Sequence, residues 1–473
     1  MKWLLKILIL CLLAVLISVP PLIAGFADLA LAKADSDDHQ ASLYYESASK
    51  FLFWRADLYE QAGLRAHNDP TRAIRLLLTA RQNGTLSLNG RVALGDAYLA
   101  AGQIDQALSE WEKLLSKNQE TLLVSPRLAP IYHTRQQFTR EAELLKTWLA
   151  ADPNNPTASE SLGRLLAAQA APEARELLNS AAASSPQAAA RLAGLISALD
   201  NPGSDRAFLL AKCGQALAGL DEWPLAEQAF IRAVNANPEY ANAWAWLGLA
   251  RQHNNTPDAQ QALEYAIKLD QQSAALHAMF GTYWQHSGKP QPASQQFAAA
   301  TQLEPGNPAW WLALANASAQ LDLSQALNAY IQAVNLAPQE ASYWYALATF
   351  SVEQNSYIED YGLSAALRAF ALDPKNPAYM DMLGRAQMAV GQNTAAEVMF
   401  KKALSVSSPD DPLYIYHYHL GLLYLQTDQN AQAKSEFKQT LASDPRGPYG
   451  AQAKKLVERY FPLSFFLGTI KPP

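Results

Sequence analysis

A pattern of residues that returns about every 34 positions constrains this 473-residue chain more than any other feature of its sequence. One copy of the pattern comprises Phe280, Gly281, Trp284, Gly288, Ala293, Phe297, Ala300 and Pro305. The same order of residue types returns in Leu94, Gly95, Tyr98, Gly102, Ala107, Trp111 and Leu114, and again in Leu420, Gly421, Tyr424, Asp428, Ala433, Phe437 and Pro445. A period of this length predicts stacked structural units, each of which buries its apolar face against its neighbours.

Each unit has a glycine or alanine at the same early position, so the number of units can be read from these residues. They stand at Gly95, Ala129, Gly163, Gly214, Gly248, Gly281, Ala315, Ala348, Gly384 and Gly421. Most steps between these positions are 33 to 37 residues, but the step from Gly163 to Gly214 is about half a unit longer and contains Pro186 and Pro202. That step therefore predicts an insertion over 186–205, either a hinge or a packed extra helix. A weaker unit over 54–84 brings the expected total to about eleven.

Within a unit, apolar residues three and four positions apart predict two amphipathic helices joined by a polar turn. Gly281 and Ala293 are expected on facing sides of one hairpin, where their small size lets the helices approach while Phe280, Trp284 and Phe297 fill the space beside them. The second helix should end where an acidic or amide residue precedes proline, because that residue is driven out of the helical region. Such pairs occur at Asp152-Pro153, Asn237-Pro238, Glu304-Pro305, Asp373-Pro374 and Asp444-Pro445.

These residues resemble the signature of the tetratricopeptide repeat (TPR), and the resemblance covers about Trp54 to Pro445. It implies an all-α, right-handed solenoid of about eleven TPR-like hairpins with a concave face lined mostly by the first helix of each unit. The domain ranges that we expect are degenerate units with an inserted extra helix over 54–206, well-formed units over 207–446, a capping helix over 447–461 and a tail over 462–473.

The first residues predict a membrane anchor. Lys2 and Lys6 precede the uncharged stretch from Ile7 to Ala27, and about twenty apolar residues span a bilayer as a helix. We assign residues 1–32 to a single transmembrane helix, 33–53 to a linker or first helix, and the repeats to the extracytoplasmic side of the cell membrane. A signal peptide cleaved at Ala30-Leu31-Ala32 or Ala32-Lys33-Ala34, giving a secreted protein, is the alternative, and an inward-facing domain is a third.

The resemblance also implies which side chains line the concave face, namely exposed positions on the first helices. The candidates are Trp246, Gln252, His253, Met279, Gln285, His286, Asn316, Gln320, Tyr345, Met382, Arg385, Tyr418 and His419, accompanied by Asn242, Thr282, Thr349, Glu353, Asp381 and Gln426. Aromatic, amide and methionine side chains suit an extended peptide, so we expect a protein or peptide partner. Helix packing is the competing interpretation of each position.

The composition of this face leaves one alternative function open and disfavours another. A polysaccharide-binding or export accessory protein of the cell envelope would stack sugar rings on Trp246, Tyr345 and Tyr418. Binding of a C-terminal carboxylate, as in tetratricopeptide co-chaperones, is disfavoured because only Asn316 and Arg385 fall at suitable places, in units that are not adjacent.

The sequence lacks the patterns typical of nucleic-acid binding, catalysis and metal binding. Lys and Arg form no run, and the net charge is −6, so we expect no nucleic acid partner. No phosphate-binding glycine loop, nucleophile elbow or His-Glu-x-x-His pair occurs, which predicts a non-enzymatic protein without a cofactor. His253 and His286 occupy matching places in adjacent units, but a metal site needs a third ligand, and none is evident.

Overall fold

A computed structural model of the chain describes residues 19–84, 86–115, 118–200, 205–408 and 410–461. Within these residues every regular element is helical, which confirms the all-α expectation. The chain divides into two compact units, unit 1 over Met1–Ala236 and unit 2 over Asn237–Pro473. The predicted tail over 462–473 and the insertion residues 201–204 lie outside the described residues.

Unit 1 begins with a helical stretch over 19–34, called here the leading helix. The helices that follow it are α1 (Asp38–Phe51), α2 (Asp57–Arg65), α3 (Pro70–Gln82), α4 (Leu88–Ala100), α5 (Ile104–Glu112), α6 (Asn118–Thr134), α7 (Phe138–Ala151), α8 (Pro156–Ala167), α9 (Glu173–Ala182), α10 (Pro186–Leu199), α11 (Arg206–Gly219) and α12 (Trp223–Ala236).

Unit 2 continues the same pattern of paired helices. They are α13 (Ala241–Asn254), α14 (Ala259–Leu269), α15 (Ala274–His286), α16 (Pro290–Leu303), α17 (Pro308–Ser318), α18 (Leu323–Leu336), α19 (Ala341–Glu353), a π turn (Ile358–Gly362), α20 (Leu363–Leu372), α21 (Pro377–Ala389), α22 (Asn393–Val406), α23 (Leu413–Gln426), α24 (Asn430–Ser443) and α25 (Pro448–Tyr460).

Helices pair as antiparallel hairpins in chain order within each unit. Over the described ranges, unit 1 holds five hairpins, α2/α3, α4/α5, α6/α7, α8/α9 and α11/α12, and unit 2 holds six, α13/α14 to α23/α24. The described ranges thus hold eleven hairpins, the number that the sequence predicts. The described part of the insertion up to Leu199 is a packed helix, since α10 contacts both α9 and α11 and buries Leu192 and Leu195. Helix α25 packs on α24 in the place expected of a capping helix.

Helix boundaries follow the proline pairs. Helices α7, α16, α20 and α24 end directly before Asp152, Glu304, Asp373 and Asp444, each of which is the residue before proline. The next helix often begins with a capping Asn followed by proline, because the amide oxygen accepts a first-turn N–H and proline tolerates the first helical position. Asn155, Asn307 and Asn376 cap α8, α17 and α21 in this way. The unit boundaries predicted from these pairs are confirmed.

The small residue of each first helix lies against one large side chain of the second helix. A Cβ atom added to Gly281 would lie 2.7 Å from the Phe297 ring, and one added to Gly421 would lie 2.7 Å from the Phe437 ring. The large ring therefore covers the glycine itself, where the sequence suggested that it fills space beside the contact. Gly95 with Trp111, Gly214 with Phe230, Gly384 with Phe400, Gly163 with Leu178 and Gly248 with Leu263 repeat the arrangement.

The leading helix belongs to the core of unit 1. Leu29 is 6% exposed and Ala32 is fully buried, and both pack in one cluster with Tyr45, Ala48 and Leu52. Leu22 packs against the same cluster, and Ser47 Oγ donates a hydrogen bond of 2.6 Å to Asp28 Oδ2. The second half of the predicted anchor segment is thus an element of the folded unit.

Most of the predicted membrane span, Ile7 to Ser18, lies outside the described residues. Among the helices that the structure does describe, none combines the length and the apolar character that crossing a bilayer requires.

His133 joins parts of unit 1 that are distant in sequence. Its Nδ1 lies 3.0 Å from Glu141 Oε2, and its Nε2 lies 2.8 Å from Glu222 Oε2 in the turn before α12. Arg164 of α8 binds the other carboxylate oxygen of Glu222. Hydrogen bonds that the ring donates to Glu141, and secondly to Glu222, raise the pKa of His133 to about 9, because both carboxylates favour the protonated ring. The charged ring therefore bridges α6, α7 and α12.

The glycine contact predicts a position-specific cost for one added methyl group. Gly214→Ala should destabilise the protein by about 1–3 kcal/mol through overpacking, since the new Cβ would lie 2.6 Å from the Phe230 ring. Gly219→Ala in the same helix meets no atom within 4 Å and should be neutral or slightly stabilising. Denaturant unfolding of both variants measures the difference; equal stabilities would contradict the contact.

The His133 bridge predicts a pH-dependent part of the stability. Its folded pKa of about 9 exceeds the ordinary value of 6.5, so the contribution is complete below 6.5 and is lost as the pH rises through about 9. The difference in thermal midpoint between the natural protein and His133→Gln should therefore shrink across that window. A difference that stays constant with pH would show that the ring contributes by packing alone.

Candidate functional site

All the candidate concave-face residues except Gln320 lie on the first helices of unit 2. Trp246, Gln252 and His253 lie on α13, and Met279, Gln285 and His286 lie on α15. Asn316 lies on α17 and Gln320 in the turn directly after it, Tyr345 on α19, Met382 and Arg385 on α21, and Tyr418 and His419 on α23. Tertiary packing then decides which of them can meet a partner.

The structure brings Asn316, Gln320 and Tyr345 together around one cavity of about 360 Å³ between α17 and α19, called here the Tyr345 cavity. Its other lining residues are Ala319, Tyr330, Ala346, Thr349, Phe350, Glu353 and Gln354. Its volume falls within the usual range of ligand-binding clefts. It joins two neighbouring first helices, so a ligand here would contact two successive hairpins.

The wall of the Tyr345 cavity is polar and almost uncharged. Tyr330 Oη donates a hydrogen bond of 2.6 Å to Asn316 Oδ1, and the Tyr330 ring packs against Phe350 with centroids 4.9 Å apart. Burial raises the pKa of Tyr330 to about 12 and also raises the pKa of Tyr345, so both phenols remain neutral hydrogen-bonding groups at neutral pH. Glu353 is the one charged member of the lining.

These groups match the needs of a polypeptide backbone. Amides and phenols both donate and accept hydrogen bonds, and the aromatic rings supply apolar contact area. The Glu353 carboxylate disfavours an acidic ligand and favours a basic one. The sequence pattern does not predict Tyr330 as a lining residue, because Tyr330 lies on a second helix and the resemblance places the concave face mostly on first helices.

Sequence comparison identifies the repeat. Models of the tetratricopeptide repeat match residues 92–156, 214–274 and 414–446, in hairpins of both units. The chain is a tetratricopeptide-repeat protein. Proteins of this family bind protein or peptide partners, and they are generally scaffolds without catalytic activity. The TPR models leave the Tyr345 cavity unmatched, so its assignment to the repeat rests on the hairpin geometry.

Other known proteins resemble this TPR protein in fold alone. No curated protein matches its sequence. The crystal structure of yeast Tom70 shares 16% identity over 93% of this chain and 95% of that chain, with a TM-score of 0.39. A tetratricopeptide repeat protein from Parabacteroides merdae shares 13% identity over 54% of this chain and 98% of that chain, with a TM-score of 0.41.

Several candidate residues serve the packing of this TPR protein instead of facing a partner. Gln252 Nε2 donates to Tyr283 O at 2.8 Å and to Ser287 Oγ at 3.0 Å, so the side chain links α13 to α15. Met279 is partly buried in a cluster with Leu276 and Phe280. Trp246 is also partly buried, whereas His253, Gln285 and His286 are exposed.

Three candidates are core residues, which corrects the sequence interpretation. Met382 is 1% exposed, His419 is 6% exposed and Tyr418 is 8% exposed. His419 Nδ1 lies 2.8 Å from Asp381 Oδ1, and Tyr418 Oη donates a hydrogen bond of 2.8 Å to Gln452 in α25. Tyr418 and His419 are buried because the capping helix α25 packs on α23 and covers the face from which they extend.

Arg385 differs from its neighbours on α21. It is partly exposed, and among the described residues no carboxylate lies within ion-pair distance of its guanidinium. The Arg385 charge acts on Tyr345 and Tyr449, which places it near the Tyr345 cavity without lining it. In the described part of the chain, no group of three or more His, Cys, Asp and Glu side chains is arranged to hold a metal ion.

Proposed function

We propose that this protein is a non-catalytic scaffold that holds a partner protein by an extended peptide segment bound in the Tyr345 cavity. The observation that carries the proposal is the convergence of Asn316, Gln320, Tyr345, Thr349 and Glu353 on one cleft. All five were expected on the binding face from the repeat pattern alone. The segment should be uncharged or basic, since Glu353 is the charged group that it meets.

The polysaccharide alternative has less support. It needs Trp246, Tyr345 and Tyr418 to present their ring faces together, and Tyr418 is buried with its hydroxyl bonded to Gln452. A stacking surface therefore loses one of its three rings. The peptide proposal needs only the cleft that the first helices form between them.

We also propose that the N-terminal apolar run tethers the protein to the cell membrane, with the repeats on the extracytoplasmic side. The leading helix packs against unit 1 from Leu22 onward, so a span would be drawn from Leu4 to Pro21. That segment has 18 residues with Lys6 as its one charged member, which is close to the ~20 residues that a helix needs to cross a bilayer. Cleavage near Ala32 would remove Leu29 and Ala32 from a folded core. This packing favours an uncleaved anchor.

The peptide proposal predicts a site-specific crosslink. A photoreactive amino acid at Gln320, an exposed member of the cavity lining, should capture a partner protein in intact cells. The same group at Gln332, exposed on the second helix α18 and outside the lining, is the matched control. Adding Glu353→Lys should reduce capture from position 320 at least about tenfold if the bound segment is basic.

Equal capture from positions 320 and 332 would refute the cavity as the binding site. Recovery of glycan with no crosslinked protein would instead support the polysaccharide alternative.

The tether predicts a membrane fraction that depends on residues 2–18. The full chain should remain with membranes after alkaline washing, and deletion of residues 2–18 should release a folded protein, because no described core contact is removed. Deletion through residue 34 should also destabilise unit 1, since Leu29 and Ala32 leave the core. A mature N-terminus found between residues 31 and 35 would replace the anchor with a cleaved signal.

A further inference from the structure

A second cavity, of about 760 Å³, lies wholly within unit 1 and is called here the Arg232 cavity. It is bounded by the start of α7, the end of α8 and the middle of α12, which come from three different hairpins. Its lining comprises Gln136, Gln137, Phe138, Thr139, Arg140, Ala142, Glu143, Lys146, Leu165, Ala168, Gln169, Leu225, Gln228 and Arg232. Contacts of α8 with both α11 and α12 close it, although α9 and α10 intervene along the chain.

Arg232 holds an uncompensated charge in the wall of this cavity. The side chain is partly buried, and its Nη1 donates to Ala168 O at 3.4 Å and to Gln228 O at 3.0 Å. Among the described residues, no carboxylate lies within ion-pair distance, and Nε and Nη2 have no acceptor. Burial lowers the pKa of Arg232, which reflects the cost of desolvating a cation that has no counter-ion.

The other charges of the lining leave a small positive excess. Lys146 is exposed and has no partner among the described residues, whereas Arg140 is 3.6 Å from Glu112 outside the cavity. Glu143 is the one acidic residue of the lining. The two uncompensated cations, Arg232 and Lys146, less one carboxylate, leave one positive charge.

The start of α7 adds unpaired polar groups to the same cavity. Its N-cap residue, Gln137, makes no side-chain hydrogen bond to the first turn, so the N–H groups of Phe138, Thr139 and Arg140 have no acceptor there. Gln137 Oε1 is itself buried without a hydrogen-bond partner. Backbone N–H groups at a helix start favour an anion, as the Arg232 charge does.

We propose that the Arg232 cavity binds a carboxylate, carried by an acidic residue of a peptide or by a free organic acid. Arg232 Nε and Nη2 form a fork that matches the two oxygens of one carboxylate. Gln136, Gln169 and Gln228 supply amide groups for the polar remainder of the ligand. One carboxylate balances the single excess charge, whereas a phosphate dianion would leave Glu143 opposed to surplus negative charge.

The test uses the full chain and three probes observed by saturation-transfer NMR. They are acetyl-Gln-Glu-Gln-amide, its acetyl-Gln-Gln-Gln-amide counterpart, and propionate. The Glu peptide should bind with a dissociation constant of about 1 mM or tighter, and the Gln peptide should bind at least about tenfold more weakly, as expected when a charge-assisted hydrogen bond is lost. Competition by propionate as strong as that of the peptide would identify a free acid as the source; competition only by the peptide would identify a peptide.

Variants locate the binding. Arg232→Met should weaken the Glu peptide at least about tenfold, and Arg232→Lys should weaken it less, since it keeps the charge but loses the fork. Lys146→Gln changes an exposed residue, so its weaker loss remains interpretable even if Arg232→Met unfolds unit 1. Lys50→Gln, at the exposed end of α1 and outside the lining, is the control.

The proposal is overturned by absence of saturable binding of either carboxylate probe, by equal binding of the Glu and Gln peptides, or by inorganic phosphate displacing the Glu peptide more effectively than propionate does. Binding that Lys50→Gln weakens as much as Lys146→Gln would likewise overturn it. Because the crosslink at Gln320 probes unit 2, its failure and the failure of this proposal are distinguishable.

Discussion

The contact between a small first-helix residue and a large second-helix side chain is the constraint on which the rest of this structure depends. Where Gly214, Gly281, Gly384 and Gly421 lack a Cβ atom, a phenylalanine ring of the partner helix lies directly over the backbone. The ring is thereby buried inside the hairpin, and the opposite side of the first helix remains available. Each hairpin still has apolar surface that only a neighbouring hairpin can cover, so the units stack in chain order.

The burial of large second-helix side chains inside the hairpins explains why the wall of the Tyr345 cavity is polar. Phe and Leu residues of the second helices fill the hairpin interiors. Asn316 and Glu353 extend from the first helices beside Tyr345, and Gln320 joins them from the turn after α17. Hydrogen bonding then gives the wall a defined geometry, because Tyr330 of the second helix holds the Asn316 amide. The cavity wall therefore consists of amides, neutral phenols and apolar groups, with Glu353 as its one charged member.

Departures from the regular repeat produce the other features of the molecule. The single helix α10 offsets the pairing by half a unit, and α8 then meets α11 and α12 within unit 1. That arrangement places Glu222 on the His133 ring, and it encloses Arg232 in a polar cavity. At the end of the chain's last hairpin, α25 covers α23, which converts Tyr418 and His419 from surface positions of the pattern into core residues.

The sequence by itself determined the helical class, the number of hairpins and their boundaries, because these depend on local properties: apolar spacing, glycine where helices touch and residues before proline. It also grouped Asn316, Gln320 and Tyr345 as candidates, and the structure has all three in the lining of one cavity. Tertiary structure alone decided that Met382, Tyr418 and His419 are buried, that Tyr330 reaches the Tyr345 cavity and that Arg232 lies opposite α7 and α8. These outcomes depend on which helix covers which face, and the contacting residues can be far apart in sequence, as in the 89-residue separation of His133 and Glu222. No local pattern encodes such a contact.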